Sequence, residues 1–190
     1  ALRMFYARNL VDAKQFDEAA NQFSELIDDD KLEHEARYAL GLLTLQMNKP
    51  KEATEYFTQL LEDKKRVVEA QYYLAQSYEL QNKLDKAVQA YSEVYNNQFS
   101  VEAGLRISLI LAKQGKVEDA RTRLQNMSPD SLEKELRVYL TEGEILNSAK
   151  QFEKAIELFD EALGQLPDNN RLLYARALTS EKLGLVDLTI

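Results

Sequence analysis

The chain has 190 residues, 24 Lys and Arg against 32 Asp and Glu, one His and no Cys, giving a formal net charge of −8 and a pI near 4.9. That balance disfavours nucleic acid and anionic membrane, which need a basic surface, and the missing thiols exclude disulfides, thiolate metal sites and a cysteine nucleophile. With 45% apolar residues, three Pro and six Gly, the chain can fill a continuous core and has little scope for long loops or low-complexity linkers.

Taken from the N-terminus, the first amphipathic segment with a clear signature is QFDEAANQFSELI, beginning at Gln15. Steps of 34, 34, 33 and 35 residues lead to KPKEATEYFTQLL at Lys49, KLDKAVQAYSEVY at Lys83, KVEDARTRLQNMS at Lys116 and QFEKAIELFDEAL at Gln151. All carry an anchor alanine at the fifth place: Ala19, Ala53, Ala87, Ala120 and Ala155. Four residues on stand Phe23, Phe57, Tyr91, Leu124 and Phe159, and three further on Leu26, Leu60, Val94, Met127 and Ala162. These offsets keep each trio on one face of an α-helix. The chain is therefore a repeat of helical units.

Upstream of each anchor the pattern continues. Ala7, Gly41, Ala75, Ser108 and Gly143 are small residues, which let a neighbouring backbone come close. Before them come Tyr6, Leu40, Leu74 and Ile107, but then the acid Glu142. Leu10, Thr44, Tyr78, Leu111 and Leu146 follow three residues after the small position. Between the two segments NKP at Asn48, QNK at Gln81 and QGK at Gln114 supply Asn or Gly able to end a helix in the left-handed region. Pro50 sits where a first helical turn tolerates its missing N–H. Each repeat reads as helix, tight turn, helix. The acidic run Asp28–Asp30 reads as a solvated connector before the next helix N-terminus. No stretch approaches 18 consecutive apolar residues, so no transmembrane helix is expected.

In period, in the small residue of the first helix and in the Ala-x-x-x-Phe of the second, the chain resembles the tetratricopeptide repeat (TPR) family. The best single copy is LAQSYELQNKLDKAVQAY, from Leu74 to Tyr91, and Pro167 in ALGQLP matches the proline that closes many repeats. The resemblance implies an all-α, right-handed α-solenoid of about five and a half repeats, as a single array with repeats near 1–33, 34–67, 68–100, 101–134, 135–168 and a partial 169–190. The absence of Trp and the acid at Glu142 depart from the family pattern. The last stretch reads as a sixth first helix, a turn at Gly184 and the opening of a second helix, with Thr189 at the anchor place. These ends lead us to expect a fragment of a longer protein whose uncapped apolar surfaces self-associate.

In TPR arrays the first helices line a concave surface. At the two places facing it stand Met4, Tyr38, Tyr72, Leu105, Leu140 and Tyr174, and Arg8, Leu42, Gln76, Leu109, Glu144 and Leu178. They lie about 100–150° around the helix from the small-residue face. This second apolar stripe either packs on the next repeat or presents tyrosines, which favour surfaces with one wet end, to a partner. The candidate partner-binding residues are Tyr38, Leu42, Tyr72, Gln76, Leu105, Leu109, Leu140, Glu144, Asn147 and Tyr174, with Glu79 and Arg8 as further polar contacts. They suit an apolar or amphipathic peptide or helix. With one cation, Arg8, among these places, they do not suit the Lys and Asn carboxylate clamp of chaperone-binding TPR domains.

No catalytic, metal or cofactor site is expected. His34 is the lone histidine, read as a surface residue between Glu33 and Glu35. Acid pairs such as Glu153 and Glu157 read as a solvated helix face, and Gly-rich phosphate loops are missing. Two functions follow: a non-enzymatic adaptor binding a protein or peptide, with neither nucleic acid nor a small-molecule substrate, or a module for homo-oligomerisation of a larger protein. A further resemblance is confined to LLYARALTSEKLGLVDL, residues 172–188. It is similar to the end of the TPR region of proteobacterial outer-membrane lipoproteins, some of which present substrates to a carboxyl-terminal processing protease. That resemblance implies a periplasmic adaptor, with the cytoplasm as the alternative location.

Overall fold

The anchor alanines explain the architecture. Ala19, Ala53, Ala87, Ala120 and Ala155 are all 0% exposed, because each sits where the two helices of a repeat cross and only a methyl group fits. In the computed structural model, which describes residues 2–184, the first helices are α1 (Leu2–Asp12), α3 (Glu33–Gln46), α5 (Val67–Leu80), α7 (Ser100–Lys113), α9 (Leu132–Ser148) and α11 (Asn170–Leu183). The second helices are α2 (Phe16–Ser24), α4 (Pro50–Glu62), α6 (Leu84–Ser92), α8 (Val117–Gln125) and α10 (Phe152–Gln165). No strand occurs among the described residues, and none of the helices is long and apolar enough to cross a membrane. The chain forms an α-solenoid of stacked helix pairs. It divides into two compact units, Ala1–Ser100 and Val101–Ile190.

Size complementarity holds each pair together. Phe23, Phe57, Tyr91, Leu124 and Phe159 are all buried against the preceding helix. Where the small residue is Gly41, a Cβ would stand 2.6 Å from the Phe57 ring, and at Gly143 the Phe159 ring fills that place too. The glycines are packing residues, and their cost in helix propensity is offset by a ring that seats flush on the backbone.

The turn between the helices has one conformation in all five repeats. Lys14, Asn48, Asn82, Gly115 and Lys150 adopt positive φ. The following N–H reaches back along the helix: Gln15 to the carbonyl of Leu10 (2.8 Å), Lys49 to Thr44 (2.8 Å), Lys83 to Tyr78 (2.9 Å), Lys116 to Leu111 (2.9 Å) and Gln151 to Leu146 (2.9 Å). This Schellman closure satisfies carbonyls that a helix end would leave open. Pro50 opens α4, as its fixed φ permits. Gly184 ends α11 in the left-handed region (φ 81°). Thr189 and the opening of a sixth second helix lie outside the described residues.

Two residues at the place before the small one differ from Leu40, Leu74 and Ile107. Tyr6, placed with the buried Leu40, Leu74 and Ile107, is 48% exposed. Glu142 is 2% exposed, and the fold accommodates it with two donors: Arg121 Nε at 3.0 Å and Gln125 Nε2 at 2.8 Å, both on Oε1. An apolar contact between α8 and α9 is replaced by a polar one in the same place, which is why the acid does not break the repeat.

Candidate functional site

In the first compact unit, the stripe residues Tyr38 and Tyr72 enter a ring cluster. Tyr38 meets Phe57 and Tyr73 edge-on at 6.4 and 6.1 Å between centroids, while Phe57 and Tyr73 stack at 5.6 Å. Tyr72 stacks on Phe99 at 4.7 Å and meets Tyr91 at 5.7 Å. Leu42 packs beside Tyr38 on the core formed by α4 and α5. Gln76 is half-buried, one turn beyond Tyr72.

Arg66 closes this cluster from above. Its guanidinium lies 4.5 Å from the centre of the Tyr38 ring. It also grips Glu35 with Nε at 2.9 Å and Nη2 at 2.7 and 2.8 Å, and Glu69 with Nη1 at 3.3 Å. Burial first, then Tyr73 and Glu69, push the Tyr38 hydroxyl up to about 12, with Arg66 opposing. Tyr73, Phe99 and Arg66 escape the sequence reading because none falls on a recurring stripe position. The aromatic pair Tyr72–Tyr73 is the one local sign of a cluster.

In the second compact unit, Leu109 and Glu144 line one cavity of about 340 Å³ between the first helices α7 and α9. Ala112, Val117, Ile145 and Ala149 make its walls apolar, and Lys113 and Glu144 stand exposed at its rim. Leu140 is half-buried on the α9–α10–α11 core. Asn147 donates from Nδ2 to Thr179 Oγ1 at 2.9 Å, which ties α9 to α11, and its Oδ1 is buried with no partner among the described residues. Tyr174 is 67% exposed and Leu178, one turn on, 38%. Leu105 is a correction. At 3% exposure it belongs to the core with Ala120, Leu124 and Ile145, so it offers a partner nothing. Met4 is likewise a core residue, while Arg8 is exposed.

His34 has company that spacing did not reveal. Glu33, His34 and Asp63 bring ligand atoms within 4.8 Å of one another. Arg37 lies among them, bonding Glu33 and Asp63 at 2.6 Å each. A divalent cation would have to displace that guanidinium from both carboxylates, so the cluster reads as an ion-pair network joining α3 to the end of α4.

Paired helices, alanine crossings and an apolar cavity between first helices define a class: a helical repeat scaffold without the convergent acid, base and nucleophile of an active site among its described residues. A tetratricopeptide repeat profile matches residues 7–53, 41–100 and 105–170, and the chain belongs to this family. A TPR repeat-containing protein of Pseudomonas aeruginosa is 33% identical over 96 residues, 50% of this chain and 16% of that protein's length. A tetratricopeptide repeat protein from Parabacteroides merdae superposes with a TM-score of 0.73 at 16% identity, covering 96% of this chain and 72% of the other. YrrB, described as a TPR protein with an unusual peptide-binding site, gives 0.64 at 19% identity over 92% and 90%. At these identities the two structures establish likeness of fold.

Proposed function

We propose that the chain is a non-catalytic scaffold that holds an apolar or amphipathic segment of a partner protein against its first helices. The observation that carries this reading is the α7–α9 cavity, with apolar walls and the charges of Lys113 and Glu144 at its rim. Apolar walls accept a side chain, and the rim charges hold the peptide backbone and its polar flanks. On α11 Leu178 occupies the place equivalent to Leu109 and Glu144, and the exposed Tyr174 stands one turn before it, extending the same chemistry within the unit. Membership of the TPR family supports a protein-interaction role, and YrrB, of like fold, is a peptide binder by description. Presentation of substrates to a periplasmic protease is the finer form of this proposal, supported by the resemblance of residues 172–188 alone.

Peptides selected from a displayed random library test it. Glu144→Lys combined with Tyr174→Ala alters two exposed side chains and is expected to leave helix content unchanged. It should weaken the selected peptides by roughly tenfold or more, the scale of one aromatic anchor. Unchanged affinity would overturn the reading. Unchanged affinity joined to self-association of the chain in sedimentation would return the assembly reading, which exposed Leu2, Phe5 and Tyr6 on α1 favour.

A further inference from the structure

A second cavity of about 350 Å³ opens where α9 passes between α8 and α10, and it shares no lining residue with the α7–α9 cavity. Leu124, Met127, Val138 and Leu158 supply apolar walls, and Tyr139 adds a ring. Gln125, Pro129 and three glutamates complete the lining, and no lysine or arginine takes part in it. Glu142 lies deepest, its Oε1 already bonded to Arg121 and Gln125. The carboxylates of Glu135, half-buried, and Glu161, exposed, carry no hydrogen bond or ion pair among the described residues. On the surrounding helices Lys134 pairs with Asp130, Arg137 with Glu102 and Lys154 with Glu118, while Arg121 is spent on Glu142 at the floor of the cavity. The cavity is thus greasy within and negative at its opening.

We propose that this cavity docks a lysine or arginine side chain projecting from a partner protein, with the methylene stem along Leu124, Val138 and Leu158 and the charged head between Glu135 and Glu161. Long cationic side chains bury their stems and keep their heads at a wet edge, which matches apolar walls below a carboxylate rim. The Tyr139 ring adds a face on which a cation is attracted. The volume lies at the small end of ligand pockets, roughly 300–1,000 Å³, room for one side chain rather than a drug-sized molecule. A net charge of −8 favours approach of a basic partner from a distance. Tyr139 senses the same field. Burial first raises the pKa of its hydroxyl; the hydrogen bond from Gln165 opposes this, and Glu161, Glu135 and Glu142 add to the rise.

The test is a nuclear magnetic resonance titration of the isotope-labelled chain with a pentapeptide bearing lysine between leucines, its norleucine and glutamate counterparts, and spermidine. Saturable shifts of the Val138, Tyr139 and Glu142 amides are expected with the lysine peptide alone. Glu135→Gln with Glu161→Gln should weaken it about fivefold, the scale of two partly exposed charge pairs, and added salt should weaken it further. The α7–α9 rim variant Glu144→Lys should leave it unchanged. Absence of saturable shifts at millimolar peptide, equal binding of the norleucine peptide, or indifference to the double substitution would overturn the proposal. Spermidine binding as tightly as the peptide would overturn it too, by making this a polyamine site.

Discussion

Tyr38 shows how a residue chosen for binding can be claimed by packing. Its ring carries Arg66 on one side and meets Phe57 and Tyr73 edge-on, and burial with Tyr73 and Glu69 raises its hydroxyl from 10.0 to about 12. The consequence for stability has a definite sign. Unfolded tyrosine loses its proton first, so from pH 10 to about 12 the unfolded state gains the advantage and stability falls as pH rises; below pH 10 the group contributes no pH dependence. Tyr38→Phe removes that loss. Urea midpoints measured at intervals across this window should fall more steeply in the parent than in the variant, and parallel curves would refute the assignment. The sequence marks Tyr38 as polar-tipped and periodic, which is true of a groove residue and of this one. What distinguishes them is Arg66, which lies outside the repeat pattern with its backbone in the left-handed region (φ 45°).

At the scale of the element, the helix-turn-helix repeat was legible because its determinants are local. Offsets of four and seven place three side chains on one face, and the small residue sixteen positions before the ring meets it across the pair. The turn was half legible. Asn48, Asn82 and Gly115 announce a left-handed residue, whereas Lys14 and Lys150 take the same conformation with no such signal, because the backbone bonds around them demand it. That compulsion has a cost. An L side chain in this region forfeits about 1–2 kcal/mol and glycine's freedom in the unfolded chain returns about 0.4–1 kcal/mol of it, so Lys150→Gly should stabilise by roughly 0.5–1 kcal/mol. Lys150 is exposed, so no side-chain contact is forfeited. A denaturant midpoint that fails to rise would show that the turn is unstrained.

At the scale of the molecule, the core is a series of local clusters. One joins α1, α2 and α3, another α4 and α5, a third α7, α8 and α9, and a fourth α9, α10 and α11. This is also why the candidate site was less legible than the fold. A first helix must show apolar residues both to its neighbour and to any ligand, and the period is identical for either use. Burial separates Leu105, lost to the core, from Leu109 at a cavity and Tyr174 in solvent, though all three obey one pattern. The segmented core leads to a test of how damage spreads. A methyl group at Gly143 would meet the Phe159 ring, and such overpacking costs about 1–3 kcal/mol. In a structure built from such clusters, that loss should open the surrounding pairs and not the whole. Gly143→Ala is therefore expected to speed amide hydrogen exchange in α9, α10 and α11 while α1 to α4 keep the parent's protection. Equal acceleration from α1 to α11 would mean that the chain unfolds as one cooperative body, and the picture of independent clusters would have to be given up.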